Sequence, residues 1–128
     1  MPQHIRTARP SGDIRGFPFT VESPGITEGQ IYMINDTVGV AFQTKLVGEI
    51  GTLNYHVEKI MLEKSAALTI STGDKIFWSG TDGDPVTNVC TSGYYWIGIC
   101  VQTALAGTVL VKCDLKGDKA TICPDAGD

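Results

Sequence analysis

The groups in this chain that could do chemistry are few, and their spacing is poor for it. The histidines, His4 and His56, are far apart, and neither belongs to a His-x-x-x-His or Glu-linked arrangement that would hold a metal or support general acid–base catalysis. The densest carboxylates are Asp74, Asp82 and Asp84. Asp82-Gly83-Asp84 could attract a calcium ion, but the regularly spaced oxygen ligands and distal Glu of an EF-hand are missing, and Asp with Gly is what a solvated hairpin tip prefers. Cys90, Cys100, Cys113 and Cys123 are separated by nine, twelve and nine residues, so no Cys-x-x-Cys knuckle or redox pair exists. Cys100 and Cys113 lie in apolar strand patterns, where a thiol behaves as a small hydrophobe. Buried free thiols are therefore expected, ahead of disulfides and well ahead of a metal site. There is no phosphate loop, dinucleotide fingerprint or nucleophile elbow. The expectation is a protein with no catalytic, cofactor or metal residues; a small hydrolase or lyase would need a pocket in which His56 meets a carboxylate.

Tyr94-Tyr95-Trp96 could stack on sugars or bases. Strand alternation sends Tyr94 and Trp96 to one face and Tyr95 to the other, so no continuous platform forms and core packing is favoured.

The elements that must carry these residues are clearest from Gly73 to Leu115. Gly73-Asp74-Lys75-Ile76-Phe77-Trp78, Tyr94 to Val101 and Thr108 to Leu115 have strand length, are rich in β-branched and aromatic residues, and are bounded by Gly, Pro, Asp or Ser. They read as a meander with Ile76, Trp78, Trp96, Ile97, Ile99, Val109 and Val111 as core positions. Gln30 to Ile34 and Val38 to Phe42 flank Asn35-Asp36-Thr37, a hairpin signature rather than a glycosylation site. Gly48 to Gly51 reads as a loop and tight turn. Val57, Ile60 and Met61 recur at helix-like intervals, but the β-rich context favours a strand over 55–62, with one helical turn over 63–67.

With 15 Gly and 6 Pro in 128 residues, turns are many and long helices few, so the fold class is all-β with room for one short helical turn: a compact β-sandwich or barrel with an extended N-terminal arm. Three segments are expected: an arm over 1–24, a β-rich domain over 25–115 and a tail over 116–128. The arm carries Pro2, Pro10, Pro18 and Pro24, with Arg6, Arg9 and Arg15 for bidentate pairing to carboxylates and Phe17 and Phe19 as apolar anchors on a neighbour; the alternative is an edge strand on its own domain. A net charge of −4 disfavours nucleic acid as a partner, and no run approaches the roughly 20 apolar residues of a membrane span. With no basic start followed by an apolar run, a cytoplasmic product is expected.

The order of these pieces adds something that no single piece supplies. The turn and strand near residue 25, Val38-Gly39-Val40-Ala41, Gly48 to Gly51, the Gly73 to Trp78 run, Ile97-Gly98-Ile99 and Val109-Leu110-Val111 together resemble a family of small tailed-phage head proteins, the capsid decoration or cement proteins, over roughly residues 17–115. The resemblance implies a β-rich domain made in the host cytoplasm and placed on the outer surface of the virion capsid. There it would bind the major capsid protein as a homotrimer at local three-fold positions, bridging subunits of an icosahedral head. A carbohydrate or host-surface recognition module displayed on a virion is the alternative.

Overall fold

Polar turns cut the chain into strands as their chemistry requires. In the computed structural model, which describes residues 14–123, Asn35 takes φ 48° and lets Ile31–Ile34 fold back on Thr37–Val40. The strands are β1 (Ile14–Thr20), β2 (Ile31–Ile34), β3 (Thr37–Val40), β4 (Ile50–Glu63), β5 (Lys75–Trp78), β6 (Tyr95–Gln102), β7 (Leu110–Lys116) and β8 (Thr121–Ile122). They form one curled antiparallel sheet in the order β2-β3-β4-β7-β6-β5, with β1 beside β4 and β8 beside β6. The all-β expectation holds.

Two local expectations need correction, and over Ile14–Thr20 the alternative of an edge strand on its own domain is the one seen. Ile50 and Gly51 belong to a strand rather than a turn, because β4 runs through 14 residues, and only Val47 to Glu49 make the turn before it. No helical turn forms over 63–67: Leu68 N–H donates to Ser65 O in a tight turn, and the single 3-10 turn is at Gly117–Lys119 instead. Of the expected arm, Ile14–Thr20 is β1, in register with β4 from Ile14 opposite Val57 to Thr20 opposite Ile50.

β4 is the longest strand and joins the two halves of the sheet. Its first part pairs with β1 and touches β3 at the Val40–Asn54 rung; its second part pairs with β7. Between Val57 and Ile60 the β4–β7 register shifts, and Lys59 sits at φ 59° with its N–H donating to Asp114 Oδ1. The main core gathers Val38, Val57, Leu62, Ile70, Ile76, Trp78, Val86, Ile97, Val111 and Leu115, and a second cluster packs Val21, Ile26, Tyr32, Ala41 and Leu53.

Of the expected core positions, Ile76, Trp78, Ile97 and Val111 are buried and Trp96 is half-buried, but Ile99 is 36% and Val109 56% exposed. The cause for Ile99 is a bulge. Ile76 pairs with Gly98 while Phe77 pairs with Trp96, so Ile97 is the extra residue and the facing of the strand inverts after it. Val109 is exposed because it lies on the turn just before β7 begins.

Candidate functional site

The side chains with chemistry are dispersed over the sheet. His56, on β4, has Nε2 3.8 Å from Glu58 Oε2. Among the described residues no three His, Cys, Asp or Glu side chains gather as metal ligands would. In the hairpin loop, Ser79 Oγ donates to Asp84 Oδ2 at 2.6 Å, while partial burial pushes the Asp82 carboxyl up. Asp74 is instead a half-buried brace. The Asn88 amide donates to Asp74 Oδ2 at 3.0 Å and Ser71 N–H at 2.9 Å, and these bonds hold the carboxyl below its ordinary value. Lys64 is buried, and its ammonium donates to the carbonyls of Ser65, Leu68 and Thr108 at 3.0, 2.6 and 2.8 Å, tying two neighbouring turns together.

The cysteines divide differently from the expectation. Cys90 and Cys123 form a disulfide with Cα atoms 5.7 Å apart, so only Cys100 and Cys113 are the buried free thiols expected of all four. The sequence hides this pair because 33 residues separate its members and only the return of the chain beside β6 brings them together. Burial pushes both free thiols up; the neighbouring Cys100 and Asp114 push Cys113 further.

Arg6 and Arg9 of the expected contact set lie outside the described residues, as does His4. Arg15 is exposed on β1, opposite His56. Phe17 and Phe19 are half-buried against the Val21–Leu53 cluster, with the Phe17 ring 6.0 Å from that of Tyr55. These rings hold β1 onto its own sheet. The aromatics of β6 do not form a platform: Tyr95 tilts against Trp78 with ring centroids 6.4 Å apart, and the Trp96 Nε1 is buried.

The surface feature that sequence reasoning passed over is apolar. Leu46 and Val47 stand exposed at the turn entering β4 with Ile50 at that strand's first position, and Leu105 and Val109 at the turn entering β7 with Leu110 at its first position, joined there by Met61. Leu46 is 70% and Leu105 63% exposed, so neither serves the core. The β7 turn opens on a shallow depression of about 550 Å³, lined mainly by Met61, Leu105, Val109 and Leu110 along with Lys112. A second depression, about 350 Å³, lies beside Phe42, Lys45 and Ile50. A signal for them was present in the sequence, Leu-x-Gly-x-Ile at 46–50 and Leu-x-Gly-x-Val at 105–109, because apolar residues flanking a Gly turn have no packing reason to be there.

The described sheet thus carries dispersed titratable groups and apolar turns that face solvent. No curated protein and no solved structure matches the chain. The family model described as phage cement protein matches residues 14–115, from the first residue of β1 to the penultimate residue of β7. The chain belongs to the phage cement protein family.

Proposed function

We propose that this protein coats the outer surface of an icosahedral phage head and stabilises the shell by bridging major capsid subunits, without catalysis. The observation that supports this best is the placement of seven of the ten large exposed hydrophobics among the described residues at or beside the turns at the two ends of β4, where one domain can reach two neighbours at once. A ligand that binds the assembled shell and not its separated subunits stabilises assembly by mass action. Two or more contacts per protein raise its effective affinity without any one of them being strong. The trimer at local three-fold positions is part of the same reading.

The test is to add the purified protein to heads assembled without it. Cosedimentation at saturating stoichiometry, together with a higher temperature of DNA release, is expected. Heads that sediment without the protein, or bind it with no gain in heat resistance, would remove the proposal.

A further inference from the structure

The sequence contains its own structural repeat. Val38–Ile50 aligns without a gap on Ile97–Val109, each residue n falling on n + 59. Gly39, Gln43, Thr44, Leu46 and Gly48 meet Gly98, Gln102, Thr103, Leu105 and Gly107, while Val38, Val40 and Ile50 meet Ile97, Ile99 and Val109.

Hydrogen bonds repeat along with the residues. Gly29 N–H donates to Ala41 O at 2.8 Å, and Gly73 N–H to Cys100 O at 2.8 Å. Thr44 Oγ1 accepts from Glu28 N at 3.1 Å, and Thr103 Oγ1 from Thr72 N at 3.0 Å. Ile26 and Lys45 exchange backbone bonds as Ile70 and Ala104 do. After the Gly turn the backbone pairing is offset by 60 rather than 59: Val21 N–H meets Glu49 O where Lys64 N–H meets Val109 O, and the Val40–Asn54 rung answers to Ile99–Asp114. The chain is therefore a tandem pair of four-strand units. One is β1, β2, β3 and the first part of β4; the other is the second part of β4, β5, β6 and β7. In each unit the first strand lies beside the last. Since β7 is antiparallel to β4, the units point in opposite directions from their shared strand.

The duplication places the same turn at both ends of β4. Ile50 starts that strand, and Leu110 pairs with Glu63 at its end. Thirteen strand rises of ~3.3 Å put these ends at most about 43 Å apart, less whatever the bulge at Lys59 takes up. Each turn has a Leu at its tip, a left-handed Gly (Gly48 φ 92°, Gly107 φ 98°) and an exposed β-branched residue two positions on. Each is also braced from within: Glu49 Oε1 accepts from Leu46 N at 2.7 Å, and Thr108 Oγ1 donates to Leu105 O at 2.7 Å. Gln43 and Thr44 recur as Gln102 and Thr103 on the approach to the turn, whereas Lys45 aligns with Ala104 and Glu49 with Thr108, so beyond that approach the turns share apolar shape rather than charge.

We propose that these two turns are equivalent grips, each seating in one copy of the same apolar recess on the shell, so that a single protein clips two such copies together through an internal duplication. This rests on the cement reading above. A shell repeats one subunit surface many times, and a duplicated binder with matching ends is what such a surface accommodates; a lone epitope or small ligand would leave one end unused.

The test uses Leu46→Ser with Ile50→Thr, Leu105→Ser with Val109→Thr, and all four together, titrated onto heads assembled without this protein. All four side chains are exposed, so melting monitored by circular dichroism should match that of the unsubstituted protein. Loss of either grip removes the avidity of the pair, and apparent affinity should fall by roughly 100-fold or more for both pairs. The fourfold variant should not bind measurably. A silent effect at one turn, with a large loss at the other, would overturn the two-grip proposal while leaving the cement reading intact. So would full binding by the fourfold variant, or a change confined to its own mass in sedimentation equilibrium, which would make the turns contacts between copies of this chain. Failure of the unsubstituted protein to bind heads would instead refute the cement reading, and the grips with it.

Discussion

Gly98→Ala is the sharpest test of how this sheet is held together. An added Cβ would lie 2.1 Å from Asp114 O, 3.1 Å from Asp114 C and 3.4 Å from Leu115 Cα, all of them backbone atoms of the neighbouring strand. That first contact is about 1 Å closer than side-chain carbons come to other atoms, and no flexible side chain is present to yield. β6 and β7 must part locally, which weakens the Gly98–Leu115 and Ile99–Asp114 rungs at the centre of the second unit. Overpacking of this kind costs about 1–3 kcal/mol, and a weakened backbone hydrogen bond about 1 kcal/mol more, so a loss of roughly 2–4 kcal/mol is expected. Against a total stability of about 5–15 kcal/mol this is large, and the melting temperature should fall by on the order of 10–20 °C. Urea unfolding gives the cleanest reading, as a lower midpoint with an unchanged slope. Gly107→Ala is the control: its Cβ meets nothing within 4 Å, but its φ of 98° strains any side chain, for about 1–2 kcal/mol. Gly39→Ala, with Asn54 O and Leu53 Cγ at 2.7 Å, should fall between them. A Gly98→Ala protein no less stable than Gly107→Ala would refute the steric account.

Other consequences can be measured on the same protein. Reducing the Cys90–Cys123 disulfide releases a loop closed across 33 residues, and the midpoint should drop by the equivalent of up to about 3.5 kcal/mol; no shift on adding dithiothreitol would show the bond to be irrelevant to stability. Cys100 and Cys113 should resist alkylation at pH 8 while folded and react once unfolded in urea. Their folded pKa values are raised above the unfolded value of about 8.5, so their stabilising contribution is complete below that pH and lost as pH rises past it. Stability should decline on the alkaline side, and less steeply in Cys113→Ala. Lys64→Met removes the donor from the Ser65, Leu68 and Thr108 carbonyls and should cost roughly 2–3 kcal/mol in urea, whereas a neutral result would mean that water replaces the ammonium without loss.

The strands that could be read from sequence were short apolar runs whose ends are marked by glycine or a polar turn, as in β2, β3 and β5. β4 was legible only in part, for a physical reason. The left-handed Lys59 inserts a bulge between Val57 and Ile60, so the inward residues Val57 and Leu62 stand an odd number of positions apart, and the helix-like interval of Val57, Ile60 and Met61 falls across that bulge, with Met61 exposed. The same effect misplaced Ile99, since a bulge at Ile97 cannot be seen without knowing that Ile76 and Phe77 pair across it. Phe17 and Phe19 looked like anchors for a neighbour because their composition gives no partner, and only the β1–β4 register shows that their own domain uses them.

The duplication escaped a strand-by-strand reading because most of its identities lie outside the strand interiors, in Gln-Thr-x-Leu-x-Gly, where side chains usually matter least. Its limits also explain what the family match covers. The matched residues 14–115 begin where the first unit begins and end one residue before β7 does, so the match spans the pair of units. The 3-10 turn, β8 and Cys123 lie beyond that limit and return the chain to β6, where the disulfide fastens it to Cys90. Cutting the disulfide should therefore loosen the loop that holds Cys90 and the β8 edge without touching either apolar turn. Head binding should survive reduction even as thermal stability falls, and a parallel loss of both would show that the closing segment takes part in the contact.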